Sequence, residues 1–111
     1  MILWYNPRCS KSRQALALLE EHGCFPTVRP YLKDAPSESE IRDVLRMLGG
    51  VASEMIRTKD AAFKELKIDI SDQEALIAAM AQNAALIERP IAISDERAVI
   101  GRPPENVLDL L

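Results

Sequence analysis

The chemistry of this chain is concentrated in Tyr5-Asn6-Pro7-Arg8-Cys9-Ser10-Lys11-Ser12-Arg13. A thiol at Cys9 stands among three cations, Arg8, Lys11 and Arg13, and two hydroxyls, Ser10 and Ser12. The stretch follows a short apolar run, Ile2-Leu3-Trp4-Tyr5, and precedes a helix-patterned run from Gln14 to His22. A cysteine on a turn between strand and helix meets unpaired backbone N–H groups and the positive end of the helix dipole. Thiols in such settings titrate at about 3.5–7.5, and the thiolate is the nucleophile. The same donors suit a tetrahedral oxyanion. The expectation is a nucleophilic sulfur in an anion cradle.

Three further arginines stand where a solvated surface charge is not the natural choice. Arg57 follows the apolar Met55-Ile56, Arg89 precedes Pro90 at a strand entrance, and Arg102 lies between Gly101 and Pro103-Pro104. The planar guanidinium matches two oxygens of an anion at once. Converging on Cys9, the three would hold an anion and stabilise the thiolate. Spacing alone leaves that convergence open, and each is otherwise an exposed or structurally paired side chain. Cys24 reads as a small apolar filler. His22, the only histidine, reads as a partner of a helix C-terminus rather than a catalyst.

The elements that must position these residues follow from pattern. Residues 2–5 read as a buried strand. Asn6-Pro7 breaks it, Ser10 and Ser12 are N-cap candidates, and Ala15, Leu18 and Leu19 share one helix face that Gly23 ends. Residues 27–32 read as a second strand, with Pro30 marking an edge or bulge. Strand, crossover helix and strand imply a parallel pair. Ser37 and Glu40 form a capping box before the stripe Ile41, Val44, Leu45 and Leu48, which Gly49-Gly50 stop. Short helical pieces follow, with Met55, Ile56, Phe63, Leu66 and Ile68 as core, and Ser71-Asp72-Gln73-Glu74 opens another capped helix whose apolar face includes Leu76, Ile77 and Met80. Residues 87–93 and Ala98-Val99-Ile100 read as an antiparallel hairpin, and Glu105 to Leu111 as a closing amphipathic helix. The order gives an α/β fold of the thioredoxin kind: a four-stranded mixed sheet in one domain, residues 1–111, with a helical insertion at about 35–85.

Composition bounds the function. The chain has 111 residues, 28% charged and 48% hydrophobic, with a net charge of -3. That is ordinary for a globular domain and unlike a nucleic-acid-binding surface. Two cysteines and one histidine supply neither a disulfide framework nor a metal set. The position three after Cys9 is Ser12, so no C-x-x-C dithiol exists. No long apolar segment behind a basic region marks a signal peptide or a membrane span. A reduced, cytoplasmic monomer that binds neither nucleic acid nor membrane is expected.

The string Asn6-Pro7-Arg8-Cys9-Ser10-Lys11-Ser12-Arg13, with Glu88-Arg89-Pro90-Ile91 and Gly101-Arg102-Pro103-Pro104-Glu105, resembles the glutaredoxin-linked arsenate reductase family, ArsC type. The likeness runs from Ile2 to Leu111 and is nearest the branch labelled arsenate reductase-like. The resemblance implies a thioredoxin-like fold and one catalytic cysteine, Cys9, whose thiolate attacks arsenate to form a thiol–arsenate adduct. Glutathione, a co-substrate rather than a bound cofactor, would attack that adduct, and glutaredoxin would close the cycle with release of arsenite. It also implies that Arg57, Arg89 and Arg102 are the anion-binding, thiolate-stabilising arginines and that the Arg89–Pro90 bond is cis. Asn6, Arg8, Ser10, Lys11, Ser12 and Pro90 take supporting places. Two departures stand out. Tyr5 occupies the position of a family histidine thought to lower the thiol pKa, and Ser10-Lys11 replace the Gly-Thr of the plasmid-type enzymes.

Two other functions share the resemblance. One is a glutathione-dependent thiol/disulfide reductase with little arsenate activity. The other is an Spx-like regulator that binds RNA polymerase, whose C-x-x-C redox switch Ser12 rules out at this position.

Overall fold

The computed structural model describes residues 1–111, which fall into two compact units: Met1–Asp34 with Arg89–Leu111, and Ala35–Glu88.

The first unit is built on β1 (Ile2–Trp4), β2 (Thr27–Arg29), β3 (Ile91–Ile93) and β4 (Ala98–Ile100), in sheet order β2-β1-β3-β4. β1 runs parallel to β2 and antiparallel to β3, and β3 runs antiparallel to β4. The sheet is thus mixed and four-stranded, as the βαβ and hairpin patterns require. α1 (Ser10–Glu21) is the crossover, and Gly23, at φ +79°, releases the chain from it. Leu3, Ala92, Ala15, Leu19 and Val107 form one core, so strands, α1 and the closing segment are held by shared apolar burial. Each such leucine removed from water contributes about 1.5–3 kcal/mol.

Four expectations shift here. β1 and β2 are shorter than the apolar runs that mark them, and Pro30 ends β2, which is indeed an edge strand. β3 starts only after Pro90, because proline has no N–H to give the ladder. α1 begins at Ser10, four residues before the apolar periodicity shows it, because the Cys9 N–H closes a turn onto the Asn6 carbonyl at 3.0 Å. The closing helix spans Pro104–Leu110 instead of Glu105 to Leu111 and winds as a 3-10 helix, long for that form.

The second unit is helical: α2 (Glu38–Met47), α3 (Ala52–Met55), α4 (Ala61–Leu66), α5 (Gln73–Gln82) and a 3-10 turn at Ala84–Leu86. The Ser37–Glu40 capping box is formed in both directions, at 3.1 and 3.0 Å. Asp72 caps α5 through the Ala75 N–H. α2 and α5 are in contact, and Ile41, Val44 and Leu45 of the first and Leu76, Ile77 and Met80 of the second are all buried. Met55, Ile56 and Phe63 are buried as expected. Leu66 is not: it is 49% exposed, on the last turn of a six-residue helix that Lys67 ends in the left-handed region (φ 53°).

Gly101 is fixed by space. A Cβ there would lie 2.7 Å from Pro90 Cγ and 3.1 Å from Val107 Cγ1. Neither neighbour is the free end of a long side chain, so Gly101→Ala is expected to destabilise the fold by about 1–3 kcal/mol. Urea unfolding checks this, with a lower midpoint at unchanged slope as the expected result.

Candidate functional site

Cys9 is itself the N-cap of α1, with extended backbone (φ -93°, ψ 119°). Ser10 and Ser12 are therefore the first and third residues of the helix, not its caps. At an N-cap the side chain normally accepts from the N–H groups two and three residues on. Here that acceptor is sulfur. The Sγ makes no capping hydrogen bond of full geometry, yet the Lys11 and Ser12 N–H groups both act on it favourably. Thiolate sulfur, unlike the neutral thiol, is a strong acceptor, so ionisation and helix capping support each other.

Ser12 completes the arrangement. It is fully buried, and its Oγ accepts from the Asn6 N–H at 3.3 Å. With that lone pair engaged, its own proton is directed to Cys9. Asn6 shapes the rest of the turn: its Oδ1 accepts from the Arg8 N–H at 3.0 Å and its carbonyl from the Cys9 N–H at 3.0 Å. Arg13 ties its guanidinium to the Pro7 carbonyl at 2.7 Å, closing the loop from the helix side. Partial burial of the sulfur is the largest single influence on Cys9 and opposes ionisation. The Ser12 N–H and hydroxyl, the Lys11 N–H and the charge of Arg89 together outweigh it. The Cys9 pKa accordingly lies below the ordinary 9.0.

Arg89 thus comes to Cys9 from the far end of the sequence, carried by the segment entering β3. The Arg89–Pro90 bond is cis, as the resemblance implied, and so is Arg102–Pro103, which sequence did not suggest. Arg102 lies beside Arg89: its Nη1 donates to the Arg89 carbonyl at 3.1 Å. The Gly101 N–H donates to the Pro90 carbonyl at 2.9 Å, so the two Arg-Pro segments are joined backbone to backbone.

Comparison with known proteins now decides the family. Residues 4–110 match the ArsC family. The chain belongs to the ArsC family. It is 45% identical to a Haemophilus influenzae protein named arsenate reductase, over 100% of this chain and 98% of that one. It is 46% identical to a protein of the same name from Neisseria meningitidis serogroup A, over 95% and 92%. Its fold superposes on the structure titled arsenate reductase from Vibrio cholerae with a TM-score of 0.93 at 43% identity, covering 99% of this chain and 96% of that one.

In this ArsC chain Arg57 lies in the helical unit, on the residue after the Ile56–Ile87 bridge. Its guanidinium pairs with Asp60 Oδ2 at 3.3 Å and donates to the Ala85 carbonyl at 3.2 Å, a half-buried and well-supported position. Tyr5, where the family histidine is expected, donates its N–H to the Arg29 carbonyl at 2.9 Å and packs against the sheet core. Lys11 and Ser10 begin α1, with Ser10 exposed. The two remaining readings of single residues hold geometrically. His22 Nδ1 meets the Leu18 carbonyl at 2.8 Å at the end of α1, and Cys24 is half-buried against the core, 3.9 Å from Met1 Sδ. Both cysteines are free thiols, and no group of His, Cys, Asp and Glu is gathered to hold a metal. No helix is long and apolar enough to cross a membrane.

Two contributions were not readable in full from sequence. Ser12 was named a supporting residue and a cap candidate, but its hydroxyl's role at the sulfur follows only once Cys9 is the N-cap, which places the serine at the third helical position. Gly101 gave no signal, because its need arises from a proline eleven positions earlier (101 against 90).

Proposed function

We propose that this protein reduces arsenate to arsenite with Cys9 as nucleophile. The observation that carries the reading is the Cys9 thiol at the α1 N-cap, its pKa lowered by Ser12, Lys11 and Arg89. The names of the close relatives support arsenate as the oxidant.

The Cys9 thiolate attacks arsenic, forming a sulfur–arsenic bond as one arsenate oxygen leaves as water. The N–H groups at the start of α1 and the guanidinium of Arg89 offset the charge of the attacked anion. In this reading Arg102 and Arg57 keep the anion-binding role that the resemblance implies. Glutathione then displaces a second arsenic-bound oxygen as water. The glutaredoxin thiolate attacks the glutathione sulfur, breaking its bond to arsenic so that the electron pair stays on arsenic and a mixed disulfide leaves. One water then cleaves the remaining bond to Cys9 and releases arsenite. The electrons balance: two thiols become a disulfide, arsenic goes from the pentavalent to the trivalent state, and one oxygen ends in water. No bound cofactor is needed, and a cytoplasmic monomer suffices.

The test is arsenate-dependent oxidation of NADPH coupled through glutathione reductase, glutathione and glutaredoxin. Turnover in the native protein supports the reading. Its absence, with Cys9 still alkylated rapidly near neutral pH, would discard arsenate and favour the thiol/disulfide reductase, a reading that Tyr5 in place of the histidine also fits. Arg102→Ala is expected to weaken arsenate affinity about tenfold, as is Arg57→Ala, with the fold retained, since a charge-assisted hydrogen bond contributes about 1.5–3 kcal/mol. KM for arsenate and competition by sulfate measure this; unchanged values in both variants would sink the arginine roles.

A further inference from the structure

A cavity of about 320 Å³ opens beside the Cys9 turn, lined by Tyr5, Asn6, Pro7, Arg8, Pro30, Leu32 and Lys33. We propose that this cavity seats the thiol co-substrate, as a small peptide thiol whose carboxylates meet Arg8 and Lys33. The proposal rests on the reading of Cys9 as the centre that a thiol must reach.

Four observations point to such a ligand. The volume lies within the range of small-molecule sites, which begins at about 300 Å³. Its lining includes the apolar Pro7, Pro30 and Leu32, and Leu32 is a large side chain left 46% exposed. Its charge is of one sign: Arg8 and Lys33 line it and no acid does. Asp34, the nearest acid in sequence, is drawn away to Arg29 at 3.3 Å, and neither Arg8 nor Lys33 makes an ion pair. An amphipathic anion is what this lining complements.

Position then selects a thiol among such anions. The wall Asn6-Pro7-Arg8 is the turn that delivers Cys9, closed by the Cys9 N–H to Asn6 carbonyl bond. Arg8, on that wall, directly precedes Cys9 in the chain, so a ligand held there lies against the turn that carries the reacting sulfur. The opposite wall is firm as well: Pro30 accepts from the Lys33 and Asp34 N–H groups, each at 2.9 Å, so the loop carrying Leu32 and Lys33 is a closed turn. The site is formed before the ligand arrives, and its entropy cost is correspondingly low.

The probe is S-methylglutathione, which has the carboxylates and peptide of glutathione but no reactive thiol. It is titrated into the full chain, with backbone amide shifts followed by NMR. The expected result is saturable binding that moves Tyr5, Arg8, Leu32 and Lys33 and weakens with salt. Lys33→Glu should weaken it roughly five- to twentyfold. The same variant should raise KM for glutathione by a similar factor while leaving the alkylation rate of Cys9 unchanged. Shifts confined to the helical unit, no saturation at millimolar probe, or equal binding by Lys33→Glu would each overturn the proposal. Because the probe needs no arsenate, failure of the arsenate reading leaves this outcome independently readable.

Discussion

Cys9→Ser is expected to abolish arsenate turnover, a fall on the order of 10⁴-fold or more, without loss of the fold. No other side chain near the turn replaces a thiolate: Ser10 and Ser12 are hydroxyls, and Cys24 packs against the sheet core. The fold survives for a physical reason. Serine is among the preferred N-cap residues, and its oxygen accepts from the Lys11 and Ser12 N–H groups better than a neutral thiol does. Below the folded Cys9 pKa, where the thiol is protonated, the variant should match or exceed the native protein in stability by about 0.5–1 kcal/mol.

That difference carries a pH signature. The folded pKa of Cys9 lies below the ordinary 9.0, so folding releases a proton wherever the pH falls between the two values. The thiolate's contribution is fully present above 9.0 and is lost as pH falls through the folded value. Native stability should therefore rise relative to Cys9→Ser as pH climbs from the folded Cys9 pKa toward 9.0. Parallel thermal melts at several pH values read this out, and a difference independent of pH would remove the thiolate from the cap.

Ser12→Ala is the second large effect. It deletes the hydroxyl that serves Cys9 and leaves the Asn6 N–H, bound at 3.3 Å, without its acceptor in a part-buried turn. The loss of a buried acceptor costs about 1–3 kcal/mol of stability. The thiol pKa should rise, because one lowering influence is gone while the burial that opposes ionisation remains. The rise is partial, since the Ser12 and Lys11 N–H groups and Arg89 persist. Alkylation by iodoacetamide at pH 7 should slow several-fold, with the native rate restored at high pH. A mere packing role for Ser12 would lower stability and leave the alkylation profile where it was.

Much of this site was legible in the sequence because it is local. Ile2 to Arg13 spells strand, turn and helix start within twelve residues, and Ser37 with Glu40 spells a capping box whose two hydrogen bonds form as written. The hairpin of β3 and β4 was equally local. What escaped depends on long-range contact or on direction. Ser12 points inward rather than along the chain, a choice made by the Asn6 turn. Gly101 is required by Pro90, and Arg102 donates to the Arg89 carbonyl, pairings that no spacing encodes. Leu66 shows the reverse failure, since a six-residue helix is too short to bury every apolar residue it carries.

The most direct test of the central claim is the pH dependence of Cys9 alkylation in a Cys24→Ser background, so that one thiol reports. The expected profile is a single titration with its midpoint below 9.0, moving upward in Ser12→Ala. A midpoint at or above that value would contradict the account, leaving α1 with an ordinary thiol at its cap and no activated nucleophile.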